Sequence, residues 1–170
     1  MATTKKASVT NDGVSDGDKA PAFELESDSE ERVSLRGLLA EGKTIVLYFY
    51  PKDDTPGCTR EAQAFTEAKR KLGAAGALVV GVSKDSIKSH CKFRDKYAIN
   101  FPLLSDPELE AHKAYDAYGE KTLYGKKSMG TIRTTFVIDP KGKIVRAFRG
   151  VKVDGHVDAV LEAIKAAKKG

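Results

Sequence analysis

The stretch Ile45-Val46-Leu47-Tyr48-Phe49-Tyr50-Pro51-Lys52-Asp53-Asp54-Thr55-Pro56-Gly57-Cys58 decides the fold. Its first six residues are an apolar run, β-branched and aromatic apart from Leu47, with no polar alternation, which is how a strand buried on both faces reads. Pro51 stops that strand. Helix signals follow within six residues: proline is favoured at the first helical position, so Pro56 marks the start, with Thr55 or Asp54 as cap. Lys52, Asp53 and Asp54 between them are expected to be solvated turn residues. Cys58 therefore falls in the first turn of a helix that leaves a buried strand.

Toward the C-terminus, Ala62, Phe65 and Leu72 continue at helical spacing from Cys58. Residues 77–82 read as a second buried strand, 86–97 as a helix, 101–104 as a short strand and 108–115 as a further helix. Residues 119–128 are polar and glycine-containing and are expected to form a loop. Residues 134–139 and 144–148 flank the turn Pro140-Lys141-Gly142-Lys143 and predict a hairpin. Residues 157–167 make an amphipathic helix with Val157, Val160, Leu161 and Ile164 on one face. Toward the N-terminus, strands are expected at 22–26 and 32–35, with a short helix at 35–40. Residues 1–16, rich in Ser, Thr, Asn, Asp and Gly, predict a disordered tail, and 17–170 a single domain. This order is α/β and thioredoxin-like, a central mixed β-sheet flanked by helices.

A chain of 170 residues suits one domain that buries about two-thirds of its unfolded surface. No apolar run approaches the roughly 18 to 20 residues that span a bilayer. The first residues carry Lys5 and Lys6 without an apolar stretch behind them, and Asp12, Asp16 and Asp18 argue against a transit peptide. A cytoplasmic protein with no membrane partner is expected. The net charge of +5 comes from 29 bases interleaved with 24 acids. The only local excess is Lys165, Lys168 and Lys169, so no nucleic-acid surface is expected. Two cysteines are too few for a secreted disulfide scaffold or a closed structural zinc site. His90, His112 and His156 lack ligand spacing, so neither a metal nor another cofactor is expected.

Cys58 is the residue that carries chemistry. In a first helical turn, unpaired amides and the positive end of the dipole stabilise an anion, the setting that favours a thiolate. Ionisation alone is a small part of catalysis. For an ordinary thiol of pKa about 8.5, full ionisation at pH 7 is worth about 2 kcal/mol. Enzymes often supply a million-fold, about 8 kcal/mol. Fixed donors must therefore also stabilise charge moving onto a departing oxygen. The candidates are the Thr55 hydroxyl, the amides near Gly57 and Cys58, and one guanidinium.

The pattern PxxxTxxC, as Pro51, Thr55 and Cys58, resembles the active-site motif of the peroxiredoxins. The longer string YFYPKDDTPGCTREA is similar to the Q type, also called bacterioferritin comigratory proteins. So are GDKAPAFEL near the start, NFPLLSD, and YGEKTLYGKKSMGTIRTTFVID late in the chain, and the resemblance runs from about Gly17 to the C-terminus. It implies that Cys58 attacks hydrogen peroxide or an organic hydroperoxide and becomes a sulfenic acid. It implies that Thr55 hydrogen-bonds the peroxide and that Pro51 shields the pocket. Arg133 would supply the guanidinium, Glu61 would orient it, and Tyr50 would line the pocket wall beside Gly57. Electrons would come from thioredoxin or a similar dithiol protein, and the chain would be a monomer. A redox sensor or holdase-type binding protein on the same fold is the alternative.

The sequence departs from the pattern in the second half of the cycle. Many Q-type members carry a resolving cysteine five residues after the first, where this chain has Gln63. Another branch resolves from a later helix at the position of Arg94. Cys91 lies one helical turn before it, on the same helix face. Three readings stay open: a Cys58–Cys91 disulfide within the chain, a one-cysteine enzyme reduced by an external thiol, or a bridge between subunits. The first requires the turn after Thr55 to unwind, which Gly57 eases because glycine lowers helix propensity.

Overall fold

The structure, a computed structural model, describes residues 14–169. In chain order it begins with β1 (Glu24–Ser27), β2 (Arg32–Ser34), α1 (Leu35–Leu39) and β3 (Thr44–Phe49). Next come α2 (Pro56–Glu67), α3 (Lys69–Ala74), β4 (Ala77–Ser83), α4 (Ile87–Tyr97) and β5 (Leu103–Ser105). The last third holds α5 (Glu110–Ala114), β6 (Tyr118–Leu123), β7 (Lys126–Thr131), β8 (Thr134–Ile138), β9 (Ile144–Arg149) and α6 (His156–Lys169).

Seven strands make one mixed sheet in the order β2-β1-β5-β4-β3-β8-β9. All six residues of β3 are buried, as the unbroken apolar run predicts, and the pleat divides them between two cores. Val46, Tyr48 and the following Tyr50 join Phe65 of α2, Phe93 of α4 and Val160 and Ile164 of α6 on one face. Ile45, Leu47 and Phe49 join Leu35 and Leu38 of α1, Ala111 of α5 and Phe136 of β8 on the other. Phe65 has no exposed surface, and truncating such a ring to Ala costs about 3 to 5 kcal/mol.

Strand register explains why distant residues meet. β3 runs parallel to β4 with Phe49 opposite Val82, and antiparallel to β8 with Phe49 opposite Thr134. The end of β3 that launches α2 is thus also the beginning of β8, and Arg133 lies immediately before it. β1 pairs antiparallel with β2 and with β5 on its other side.

Three expectations change. Residues 119–128 do not form a loop: they lie in a ribbon, with β6 antiparallel to β7 and Glu120 opposite Met129. The reversal is Tyr124-Gly125, both at positive φ (53° and 78°), a two-residue turn normally signalled by Asn or Gly in the first place. The helix running from Cys58 toward Leu72 divides at Ala68 into α2 and α3. Of the expected tail, residues 1–13 lie outside the described residues. Val14 already packs against the second core, and Asp16 Oδ1 accepts the Ala147 N–H at 2.7 Å.

Candidate active site

Pro56 occupies the first turn of α2, and Thr55 is the N-cap residue in an extended conformation. The first intrahelical bond runs from the Thr59 N–H to the Thr55 carbonyl at 2.8 Å, so the amides of Gly57 and Cys58 precede the ladder. The Thr55 side chain does not cap the helix. It donates instead to the Lys52 carbonyl at 2.9 Å, which leaves the hydroxyl's lone pairs as acceptors.

Cys58 is 1% exposed. Arg133 Nη2 donates to its sulfur at 3.3 Å across a sequence separation of 75 residues. The other arm of the guanidinium, Nη1, donates to Glu61 Oε1 at 2.6 Å. Glu61 stands on the same helix face as Cys58, three residues on, and is itself buried. Burial pushes the Glu61 carboxyl up to about 7, against the opposing pull of the Arg133 guanidinium. Burial works against the charge on Arg133, but Glu61 and Cys58 together hold it firmly cationic. Gly57 has a steric reason: a Cβ there would stand 3.2 Å from Arg133 Nη2. That is tighter than most Cβ contacts, so a larger residue requires the guanidinium to give by a few tenths of an ångström.

Pro51, Thr55, Gly57, Cys58, Glu61 and Arg133 are thus brought to one end of β3. Tyr50 shares an apolar cluster with Cys58, but its hydroxyl turns away and donates to Asp53 Oδ1 at 2.6 Å. Cys91 takes a separate partner, its thiol donating to the Asp28 carbonyl at 3.2 Å. Both cysteines are free thiols. Gln63 is exposed, and Arg94 Nη1 reaches the Asp28 carboxylate at 3.0 Å.

Three residues at or behind the site, Tyr48, Lys121 and Asp53, escape sequence reasoning, whereas Asp54 is exposed as expected but bonded. The Tyr48 hydroxyl is buried without a partner, as is Glu61 Oε2. Burial first, then the charges of Glu61 and Cys58, keep that phenol protonated. Lys121, on β6, is partly buried, and burial together with nearby Arg133 lowers its pKa. Asp53 is not a solvated turn residue: it is 7% exposed and is bound by His90, Ser89 and Tyr50. Asp54 accepts from Tyr97 at 2.6 Å and Lys96 at 2.9 Å. A tyrosine in an apolar strand or an aspartate in a turn carries no local mark of such partners. Among the described residues, no group of three or more His, Cys, Asp or Glu side chains is placed to hold a metal ion. No helix among them is long and apolar enough to cross a membrane.

Residues 17–147 match the AhpC/TSA family. The chain is 48% identical over 128 residues to the peroxiredoxin Bcp of Xanthomonas campestris, covering 75% of this chain and 80% of that one. It is 44% identical over 149 residues to the peroxiredoxin Bcp of Bacillus subtilis, covering 88% and 94%. Its structure is similar to that of the Xanthomonas campestris bacterioferritin comigratory protein, with a TM-score of 0.80 at 43% identity over 85% of this chain and 91% of the other. Site geometry and these likenesses agree: the chain belongs to the AhpC/TSA family, as a thiol-dependent peroxidase of the Bcp, or Q, type of peroxiredoxin.

Proposed function

We propose that Cys58 is the nucleophile of this peroxidase, and that the approach of Arg133 to its sulfur at the amino end of α2 carries the assignment. The thiolate attacks one peroxide oxygen and the O–O bond breaks. Cys58 becomes a sulfenic acid, and the leaving oxygen takes the proton that the thiol gave up, departing as water or an alcohol. Thr55, whose own proton is directed at Lys52, accepts the peroxide O–H. Arg133 and the amides of Gly57 and Cys58 stabilise charge on the leaving oxygen. Glu61 orients Arg133. Pro51, Tyr50 and Tyr48 keep bulk water from the sulfur.

Hydrogen peroxide and organic hydroperoxides are the expected substrates. The Xanthomonas protein is described as having alkyl peroxide reduction activity. For recovery, the Cys58 sulfenic acid condenses with the Cys91 thiol, releasing water and forming a disulfide. Thioredoxin or a similar dithiol protein then reduces that disulfide. Cys91 must leave Asp28 to reach Cys58, because a disulfide needs Cα atoms roughly 4.4 to 6.8 Å apart. The separate bonding of the Cys91 thiol favours the competing one-cysteine route. The cycle is expected to run in a monomer in the cytoplasm.

One experiment separates these readings. Reduced wild type, Cys58→Ser and Cys91→Ser are each mixed with one equivalent of hydrogen peroxide, and peroxide consumption and intact mass are followed. Cys58→Ser is expected to lose rapid consumption, whereas Cys91→Ser keeps the first turnover and loses thioredoxin-linked cycling. Wild type is expected to lose about 2 Da, the mark of a disulfide, whereas a stable gain of about 16 Da establishes the one-cysteine route. Rapid consumption that survives in Cys58→Ser would refute the nucleophile assignment.

A further inference from the structure

The loop that feeds Cys58 and the helix that carries Cys91 are joined by a buried charged pair. Asp53 Oδ2 lies 2.7 Å from His90 Nδ1 and accepts Ser89 Oγ at 2.8 Å. Oδ1 accepts the Tyr50 hydroxyl at 2.6 Å. On the far side of the ring, His90 Nε2 lies 2.9 Å from the Leu104 carbonyl of β5. With Asp53 ionised, its carboxylate and the Leu104 carbonyl only accept, so both ring nitrogens donate and the ring is an imidazolium. The two side chains are 0% and 3% exposed. The loop is further tied by its Asp53 N–H to Asp85 Oδ2 at 2.8 Å, which Ser83 also engages at 2.7 Å.

The groups facing His90 are Asp53 from the loop, the Tyr50 hydroxyl after β3, the Leu104 carbonyl from β5, and Asp85 before α4. Burial opposes the ring's charge, but the hydrogen bond and charge of Asp53, the Leu104 carbonyl and Asp85 outweigh it and raise its pKa. A neutral ring has one N–H for two buried acceptors, so one of them is orphaned. The pair's stabilisation is therefore complete below the usual histidine range and is lost as pH rises through the higher folded value.

We propose that Asp53 and His90 form a proton-dependent latch that clamps the Cys58 loop to the first turns of α4 and, on opening, frees those turns so that Cys91 can travel to oxidised Cys58. The travel of Cys91 rests on the disulfide reading above; the latch itself does not. His90 immediately precedes Cys91, and Asp53 lies five residues before Cys58, so one hydrogen-bonded pair restrains both cysteine-bearing segments. His90 is a positioning residue and touches no reacting atom.

Hydrogen exchange of the reduced full chain tests the latch directly, read in residues 51–55 and 86–92 and corrected for the intrinsic pH dependence of exchange. His90→Gln is expected to open both segments about fivefold more often, the loss of one buried hydrogen bond. Wild type is expected to approach that level as pH rises, and the variant to lose the pH dependence. After one equivalent of hydrogen peroxide, the disulfide, timed from the sulfenic acid, is expected several-fold sooner in His90→Gln. Unchanged exchange in both segments overturns the latch, whatever the disulfide does. Altered exchange with an unchanged or slower disulfide overturns the release of Cys91. If wild type forms no disulfide while exchange responds, the resolution reading fails and the clamp stands. Should His90→Gln not fold, Ser89→Ala and the wild-type pH series carry the same exchange test.

Discussion

At the residue scale, the site depends on how Arg133 is shared. Its guanidinium is a rigid fork, and here one arm meets Glu61 and the other Cys58. Gly57 clears the space for the second arm, since a Cβ there would stand 3.2 Å from Nη2. Gly57→Ala is therefore expected to separate activity from stability. Helix propensity alone would raise stability by up to about 1 kcal/mol. Displacing the guanidinium by a few tenths of an ångström is expected to slow peroxide attack about tenfold. Stopped-flow peroxide consumption and urea unfolding of the same variant check both. A variant that reacts as fast as wild type removes the steric argument.

The element that delivers Arg133 is the β6–β7 ribbon, which stands apart from the main sheet. It is anchored at its base, where the Ile132 N–H donates to the Ala117 carbonyl at 2.8 Å. The Thr131 hydroxyl meets His112 Nε2 there at 3.0 Å. His112 in turn holds Asp106 through Nδ1 at 2.6 Å, and both side chains are buried. Thr131 lies two residues before Arg133, so the histidine steadies the strand that aims the guanidinium. His112→Ala leaves a buried carboxylate short of its partner and is expected to cost about 3 kcal/mol or more. Equilibrium unfolding in urea checks the loss, and slower peroxide attack in the folded fraction would tie the anchor to the site.

For the molecule as a whole, buried ionisable groups set opposing pH slopes. Glu61 is pushed up by burial to about 7 from 4.5, so between those values the folded chain holds the extra proton. Its contribution to stability therefore falls as pH rises, by about 3 kcal/mol at most. His156 is pushed down by burial, and by Arg133, to about 4 from 6.5. The folded chain there refuses a proton that the unfolded chain accepts, so stability is lost as pH falls through that window. Chemical unfolding across pH 4 to 7 reads both. The stability of Glu61→Gln minus wild type is expected to grow with pH. The difference for His156→Gln is expected to shrink. Slopes of the reverse sign would show that the Arg133 pairing, not burial, governs the carboxyl.

Local rules were enough for much of this chain. An unbroken apolar hexamer, β-branched and aromatic apart from Leu47 and closed by Pro51, reads as a strand covered on both faces, and Pro56 after Thr55 reads as a helix start. Those two facts place Cys58 at a helix N-terminus, and the strings around Thr55 and Arg133 carry the family. Polar residues in turns and loops were not legible in this way. Asp53 reads as a solvated turn residue and is a buried anchor. The stretch around Tyr124 reads as a loop and is a ribbon turn. His90 reads only as a histidine without ligand spacing and is half of a buried pair with Asp53. The sequence by itself determined most of the strands and helices and set Cys58 at a helix start, because periodicity and helix capping act over a few residues. Only the tertiary structure decided what each polar group meets, because the register of β3 against β4 and β8 brings together side chains dozens of residues apart.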